Sequence, residues 1–451
     1  MAKKLVLIVV DGMTPAAFER AVEDRRAPAL AFLAAHGEYR QAVSVFPSLT
    51  PVCLSSIVTG AGPGVHGIPS LVWWLREERR IVEYGSSFAA LRAAGLSQAV
   101  IDTIFNMNAK HLSRDAVTIF EAVEDAGLVA AAVNITCYRG RHRHLATLPA
   151  VHRVAHGPKR FFYYSLFESD RTGAPLAVRN RGGGSVDVYA AAVGRWLVTR
   201  DGFDFFAYYL SGYDYASHAH GPEGAADVAL AQTDAAIGAL LDAAGGPDEF
   251  LERYSVIVHS DHGQTPVQEA VRLEAHFLDL AGEVVVTDSN RAGQVYLLPQ
   301  ARVDASDLAR RLDGVPAVET TLRREDGDGV ARRDGEELRF RPAGGGWETS
   351  GDEAILDHPD ALGRAWSALA NPNAGELLVS AAPGWELADL GGGNHAGGGS
   401  HGSLTAGDSL VPLLTIGLDA DARRITEIAP AALTHLGVEI PAPMTVPAHV
   451  G

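Results

Sequence analysis

Three apolar runs that each end in an acidic side chain constrain this fold more than any other feature of the sequence. Residues 5–10 are apolar and are followed directly by Asp11. The run FDFFAYYLSGYD ends at Asp214, and YSVIVHSDH ends at Asp261 and His262. Short apolar runs of this kind are typical of buried strands in a parallel sheet, and ligands of such sheets bind beyond the carboxyl ends of the strands. The pattern therefore predicts one site to which three strands deliver acids and a histidine.

The order of strand-like and helical segments predicts an α/β fold with a mostly parallel central sheet flanked by helices. Up to about residue 270, apolar runs alternate with stretches of helical periodicity, as βαβ units do. The rhythm then changes to short strand-like runs, which predicts a smaller α+β insertion at 271–392. The core is predicted at 1–270 and 393–451, and SLVPLLTIGL is expected to return to its sheet. Residues 70–115 and 138–185 are expected to form loops that roof the site.

Composition narrows the partners and the compartment. The 451 residues carry a formal charge of −17, whereas proteins that grip long nucleic acids usually present a basic face, so a nucleic-acid polymer is not expected. Cys53 and Cys137 are too few for a disulfide framework. The apolar run after MAKK is shorter than a signal-peptide core, and no stretch approaches the roughly 18 apolar residues of a membrane span. A cytoplasmic location without a membrane partner is the expectation.

Thr50 stands at a predicted helix start. It precedes Pro51 and the apolar run VCLSSIV, and a threonine before a proline is typical of an N-cap followed by the first helical residue. The N-terminus of a helix attracts anions through its free N–H groups and its dipole. The segment therefore indicates either a simple helix cap or an anion site with a hydroxyl group in it.

Asp and His side chains are paired at two of the strand ends. Asp214 and His218 are four residues apart, and Asp261 is adjacent to His262. Carboxylate oxygen and imidazole nitrogen together suit a divalent transition metal such as zinc. A further histidine is needed to complete a second site. His401 in a glycine-flanked loop is the candidate, and the competitor is the histidine six residues earlier, at position 395.

Taken in order, these motifs resemble the alkaline phosphatase superfamily, and most closely its nucleotide pyrophosphatase/phosphodiesterase branch. The resemblance implies an alkaline-phosphatase-like core that holds two divalent metal ions, with Zn²⁺ as the expected metal. One ion would be held by Asp214, His218 and His401. The other would be held by Asp11, Asp261 and His262, with Thr50 bridging toward it as the nucleophile.

The resemblance also implies a function. The expected enzyme is a metal-dependent hydrolase that cleaves phosphodiester or pyrophosphate bonds of small anionic, nucleotide-like substrates through a covalent phospho-threonine at Thr50. A phosphomonoesterase or a phosphonate C–P hydrolase similar to phosphonoacetate hydrolase is the alternative, and a non-catalytic binding protein is a more distant one. A sulfatase is disfavoured because CLSS at Cys53 lacks the Cys-x-Pro-x-Arg run. The sequence leaves the oligomeric state open, with a homodimer as one candidate.

One departure from the branch concerns the substrate. Three residues beyond the isoleucine of HGI the branch usually has an asparagine that contacts phosphate, and this chain has Leu71 there. The candidates for substrate contacts near this segment are Ser70, Leu71, Trp73, Asn106 and Asn108. The basic cluster at 139–144 is interpreted either as a clamp for an anionic substrate or as a solvated loop.

Overall fold

The computed structural model describes residues 3–147, 153–169, 186–223 and 226–445. Within these ranges the strands in chain order are β1 (Lys4–Val10), β2 (Glu38–Val43), β3 (Val72–Leu75), β4 (Arg80–Glu83), β5 (Ala130–Val133), β6 (His142–Leu145), β7 (Val154–Gly157), β8 (Arg160–Tyr163), β9 (Phe167–Glu168), β10 (Phe205–Leu210), β11 (Tyr254–His259), β12 (Thr265–Val271), β13 (Val284–Ser289), β14 (Ala292–Leu297), β15 (Val318–Glu325), β16 (Asp328–Arg333), β17 (Glu336–Ala343), β18 (Gly346–Gly351), β19 (Leu377–Ala381), β20 (Gly384–Leu387), β21 (Gly399–Ser400) and β22 (Leu410–Ile416).

The α-helices of the same ranges are α1 (Pro15–Glu23), α2 (Pro28–Ala35), α3 (Thr50–Thr59), α4 (Pro63–His66), α5 (Phe88–Ala94), α6 (Leu96–Ile101), α7 (Ile119–Asp125), α8 (Val186–Arg200), α9 (Gly212–His220), α10 (Ala226–Ala243), α11 (Pro247–Arg253), α12 (Ala305–Arg311), α13 (Ala361–Leu369), α14 (Ala406–Ser409) and α15 (Ile428–Leu436). A π-helix covers Asp102–His111, and short 3-10 helices cover Leu273–Leu280, Glu353–Leu356, Ile425–Glu427 and Ala442–Thr445.

The main sheet has eight strands in the order β2-β22-β11-β1-β10-β5-β8-β9. The five consecutive strands from β11 to β8 run parallel, and β22 returns antiparallel to β11. Alternate residues of β1 enter two different cores: Leu5, Leu7 and Val9 pack on one face of the sheet. Val6 and its neighbours of the same parity pack on the other face. Burial of both faces explains the continuous apolar runs, and the predicted α/β class with a mostly parallel sheet is confirmed.

The insertion contains a separate antiparallel sheet in the order β13-β14-β19-β15-β16-β17-β18. Two apolar clusters cover it, one around helix α12 and one around helix α13. The division of the chain at residue 270 stays a prediction. Strand β12, which spans that boundary, pairs with β20 from the insertion and with β21 from the loop before the return strand.

The predicted roof of the site needs correction. The expected roof loop at 138–185 contains β8 and β9 of the main sheet, because the run RFFY is buried beside β5. The remainder of that roof at 148–152 and 170–185 lies outside the described residues. The expected roof loop at 70–115 holds a hairpin, two short α-helices and the π-helix.

The stretch of helical periodicity that follows the first strand forms two helices, α1 and α2. The second helix begins at Pro28, a residue that fits a first turn but interrupts a helix interior.

Among the described residues, no single helix is long and apolar enough to cross a membrane. The segments Phe88–Ala94 and Leu96–His111 pass that test only as a pair, by length and composition, and they are bent by 104° at the break.

Candidate metal centre

Three neighbouring strands carry the acidic side chains to one place. β10, β1 and β11 are adjacent in the main sheet and run parallel, so their carboxyl ends lie side by side. Asp11 follows β1 directly, Asp261 lies two residues after β11, and Asp214 lies in the first turn of the helix after β10. The structure therefore brings together the three acids that the strand pattern singles out.

The first group of ligand atoms combines Asp214, His218 and His401, whose ligand atoms lie within 4.8 Å of one another. Asp214 and His218 are four residues apart on α9, so both side chains lie on one face of this helix. The Nε2 atom of His218 lies 3.4 Å from Oδ2 of Asp214, and the Nε2 atom of His401 lies 3.9 Å from Oδ1. The ring of the competing His395 lies beside that of His218, with the ring centres 4.1 Å apart, and its Nδ1 atom bonds to Glu386 at 2.7 Å.

The second group combines Asp11 and His262 with Asp214, again within 4.8 Å. The Nε2 atom of His262 lies 3.3 Å from Oδ1 of Asp11 and 3.1 Å from the hydroxyl oxygen of Thr50. Asp261, the expected third ligand, lies beside this group, with its Oδ2 atom 3.5 Å from Nε2 of His262. Asp214 is thus shared by the two groups, and the assignment of ligands to two separate ions stays a prediction.

Each of the three histidines predicted as ligands is oriented by a backbone carbonyl. Since a carbonyl oxygen can only accept, the Nδ1 atom in each ring is the donor, and Nε2 faces the acids. Such outer bonds fix both the tautomer and the ring orientation of a metal-binding histidine. The pairs are His218 with Gly399 at 2.8 Å, His262 with Gly263 at 3.0 Å, and His401 with Ser48 at 2.7 Å.

Two carboxylate oxygens at the centre are buried and have no hydrogen-bond partner among the residues that the structure describes, namely Oδ1 of Asp11 and Oδ2 of Asp261. Burial raises the pKa of the Asp11 carboxyl group well above its usual value, and the charges of Asp261 and Asp214 raise it further. Burial likewise raises the pKa of Asp261. Unpartnered oxygens on crowded, buried carboxylates are unfavourable unless a cation or a proton compensates them. The residues present therefore fit divalent metal ions.

Thr50 is not the N-cap of helix α3, which corrects the prediction of a capping threonine. Helix α3 begins at Thr50, and the N-cap is Leu49, which makes no side-chain cap bond. Because the backbone oxygen of Leu49 accepts the first helical bonds, the Thr50 side chain is left to donate to His262. The hydroxyl thus lies at the N-terminus of a ten-residue helix, where the dipole favours negative charge.

Several polar neighbours of the ligands were not predicted from the sequence. The Tyr209 hydroxyl donates to Oδ2 of Asp11, and the Gln264 amide donates to Oδ1 of Asp214 at 2.5 Å. The Asn290 amide nitrogen lies 3.0 Å from Nε2 of His401. Tyr209 and Gln264 lie within five residues of predicted ligands, a signal that was available. Asn290 lies in the insertion, far from every motif.

The candidate substrate contacts are largely occupied by other groups in the protein. The Asn106 amide donates to Asp102 at 2.6 Å, and Oδ1 of Asn108 accepts from two backbone N–H groups of the segment that follows β5. The indole of Trp73 is buried and packs edge-on against His111 at 5.3 Å. Ser70 and Leu71 are buried in the segment before β3.

The basic cluster is tied to acids and to backbone oxygens. Arg139 bonds to Glu121 and to three carbonyl groups, and Arg141 bonds to Glu121 and Asp125. The ring of His144 bonds to the carbonyl of Pro158 at 2.9 Å. These contacts favour a structural role for the cluster over a substrate clamp.

A comparison with protein families decides the assignment that the motifs suggested. The model of the type I phosphodiesterase/nucleotide pyrophosphatase family matches residues 5–404. The chain belongs to this family. It is accordingly an enzyme of the phosphoric ester hydrolase class, and the resemblance drawn from the motifs is confirmed. A search of curated proteins found no match.

Solved structures with the same fold span nearly the whole chain. Phosphonoacetate hydrolase from Sinorhizobium meliloti 1021 in complex with phosphonoformate is 19% identical, with a TM-score of 0.65 over 96% of this chain and 95% of that chain. Murine ectonucleotide pyrophosphatase/phosphodiesterase 5, an inactive variant in complex with AMP, is 14% identical, with a TM-score of 0.63 over 97% and 96% of the two chains. At these identities the likeness establishes the fold.

Proposed function

We propose that the chain is a two-metal hydrolase that cleaves phosphodiester or pyrophosphate bonds of small, nucleotide-like substrates, with Thr50 as the nucleophile. The observation that carries this proposal is the position of the Thr50 hydroxyl. It lies 3.1 Å from Nε2 of His262, at the N-terminus of α3 and beside two groups of metal-binding atoms that share Asp214. Family membership supports the reaction class.

The residues that would hold the two ions are those of the two groups together with Asp261, whose Oδ2 atom is buried and has no partner in the described part of the chain. Divalent ions at these positions would supply electrostatic stabilisation of the charge that develops on the attacking and leaving oxygens. Zinc suits a set of carboxylates and imidazoles, and we include it in the proposal.

The proposed reaction proceeds in two steps, with Thr50 as the attacking residue in the first. The Thr50 oxygen attacks phosphorus, which forms a Thr50–O–P bond and breaks the bond to the leaving group, and the Thr50 proton departs with that group. Water then attacks the phospho-threonine, restores the hydroxyl and releases the phosphate monoester. The phosphoryl group lies at the N-terminus of α3 throughout, where the helix dipole favours its negative charge.

Replacing Thr50 by Ala tests the nucleophile. We expect kcat on a nitrophenyl phosphodiester to fall by at least about 10⁴-fold, because loss of a nucleophile removes the covalent path. Zinc content, measured by mass spectrometry of the metal-loaded protein, should stay near two ions per chain. Thr50→Ser, which keeps a hydroxyl group, serves as the matched control and should keep most of the wild-type activity. Wild-type rates in the alanine variant would exclude this mechanism.

The substrate class is tested by a second comparison. Rates on a nitrophenyl phosphodiester, the matching monoester and phosphonoacetate separate the proposed diesterase from the phosphomonoesterase and C–P hydrolase alternatives. The diester should be the best of the three substrates. Fewer than two bound ions, with no activity after zinc is added, would favour a binding protein. We extend the proposal to a cytoplasmic location and to small anionic substrates rather than nucleic-acid polymers, consistent with the formal charge of −17.

A further inference from the structure

The hairpin of the insertion formed by β13 and β14 reaches the metal centre with its two-residue tip, Asn290 and Arg291. The backbone N–H of Arg291 donates to the carbonyl of His401 at 2.9 Å. The guanidinium of Arg291 is fully buried and bonds to Asp408 at 2.6 Å. Asn290 has a left-handed φ of 55°, a conformation that asparagine tolerates in tight turns, and its N–H donates to Asp389 at 3.2 Å. The tip is therefore fixed against the loop that carries a ligand histidine.

The Asn290 side chain faces the atom of His401 that would bind metal. Its amide nitrogen lies 3.0 Å from Nε2 of His401. The Nδ1–H group of that ring already donates to the Ser48 carbonyl at 2.7 Å, so Nε2 of the neutral ring is an acceptor and the Asn290 amide is the donor. Asn290 is only 3% exposed. Bulk water therefore cannot readily replace Nε2 of His401 as the acceptor for the Asn290 amide.

A metal ion on Nε2 of His401 would use the lone pair that now accepts from Asn290. The amide would then be a buried donor at the metal centre without its acceptor, which is unfavourable unless another acceptor arrives. A phosphoryl group held next to Thr50 brings negatively charged oxygens, the strongest acceptors for such a donor. Leu71, which stands where the resemblance expects an asparagine, offers no donor of this kind.

The hairpin also contacts the segment that contains Leu71. The Gln294 amide on β14 donates to the carbonyl of Pro69 at 2.8 Å. We propose that Asn290 of the insertion donates a hydrogen bond to a phosphoryl oxygen of the substrate at Thr50. This inference rests on the proposed function, and it makes Asn290 a residue of the active site that no sequence motif indicates.

The test compares Asn290→Gly with wild type, because glycine accepts the left-handed φ at this position and removes the amide. Zinc binding to the metal-free protein and binding of inorganic phosphate to the zinc-loaded protein are measured by calorimetry. Zinc affinity should stay within about threefold of wild type, and the Kd for phosphate should rise by about tenfold, as expected for loss of one hydrogen bond to a charged group. With a nitrophenyl phosphodiester, kcat/KM should fall by about 100-fold.

Two further variants make the outcome specific. Asn290→Asp has the same shape but lacks the donor, so it should also weaken phosphate binding. Gln294→Ala removes a buried amide from the same hairpin that bonds to Pro69 and Gly375. It should leave the Kd for phosphate within about twofold of wild type.

Unchanged phosphate affinity in Asn290→Gly would overturn the inference. So would a loss of zinc affinity as large as the loss of phosphate affinity, because Asn290 would then act on the metal or on His401. If the wild-type protein neither binds phosphate nor cleaves the diester, the proposed function itself fails. If the wild type is active and Asn290→Gly is equally active, only the role of Asn290 fails.

Discussion

Each candidate ligand side chain of the metal centre forms a hydrogen bond with a neighbouring group that orients it. Backbone carbonyls accept from Nδ1 of the histidines. Side chains donate to Asp11 and Asp214, and backbone N–H groups donate to Asp261. Gln264 is itself held by Ser217, whose hydroxyl donates to its Oε1 atom at 2.6 Å. Because this second bond fixes the amide orientation, the N–H group of Gln264 must face the carboxylate. Outer bonds of this type tune metal affinity without contacting the metal.

Replacing Gln264 by Ala should therefore weaken the first group of ligands. We expect zinc affinity, measured by competition with a chelator, and kcat/KM to fall by about 10- to 100-fold, because Asp214 loses its donor. Gln268→Ala is the matched control, since this glutamine lies four residues further along and is exposed. Equal zinc affinities in the two variants would show that the Gln264 bond does not support the metal centre.

At the scale of single residues, the sequence predicts the candidate metal ligands but not the side chains that form hydrogen bonds with them. Asp11 and Asp261 follow from the strand pattern alone, because a strand end determines where the next side chain lies. Asn106 and Asn108 are polar and near the right segments, yet the structure engages their amides with Asp102 and with backbone groups. Which partner a polar side chain selects depends on groups brought near by the fold.

At the scale of elements, helix α9 carries two predicted ligands and is capped from a distant helix. Asp187 on α8 accepts from the backbone N–H groups of Ser211 and Gly212, each at 3.1 Å, and from the Thr233 hydroxyl at 2.7 Å. A Cβ atom on Gly212 would lie 2.6 Å from Oδ2 of Asp187, so only glycine allows this close approach. Asp187 thus satisfies the free N-terminal groups of α9 in place of a local cap.

Asp187→Ala should lower the free energy of unfolding by about 1–2 kcal/mol, because α9 loses its cap. It should also weaken zinc binding, since Asp214 lies in the first turn of the released helix. Urea denaturation and zinc titration check the two effects. Thr14→Ala removes the cap of α1, which accepts from Ala17 at 3.1 Å. This control should lose similar stability and keep wild-type zinc affinity, and a parallel loss of zinc affinity in both variants would contradict the argument.

Long buried strands were predicted from the sequence, whereas a short strand was missed. Apolar runs identified β1, β10, β11 and the return strand β22, because burial on both faces of a sheet leaves a continuous apolar signal. Strand β8 was placed in a loop, since its four residues are too short to display any periodicity.

At the scale of the whole molecule, buried neutral histidines make stability depend on pH. His66 is fully buried, its Nε2 atom lies 3.0 Å from the Ser56 hydroxyl, and burial lowers its pKa to about 3. Burial lowers the pKa of His111 to about 4. A histidine in the unfolded chain titrates near 6.5, so between these values the unfolded state binds more protons than the folded one. The stability from these groups is fully present above about pH 6.5 and falls as the pH falls below it.

We expect His66 to account for a loss of about 2 kcal/mol in the free energy of unfolding between pH 8 and pH 5. His66→Gln should flatten the pH dependence measured by urea denaturation, whatever its effect on stability at pH 8. The exposed His36 provides the control, and His36→Gln should keep the wild-type slope. A His66→Gln variant with an unchanged slope would refute the assignment.

The sequence by itself determined the long buried strands and the acids at their ends, and its motifs indicated the family, because these depend on local periodicity and on motifs a few residues long. Only the tertiary structure decided the surroundings of the ligands. Asn290 reaches His401 across 111 residues, and Gln264 reaches Asp214 across 50. The insertion, which the sequence indicates as a separate unit, contributes a side chain to the metal centre through its docked hairpin. Such contacts follow from how the two sheets pack, and packing at long range leaves no local pattern in the chain.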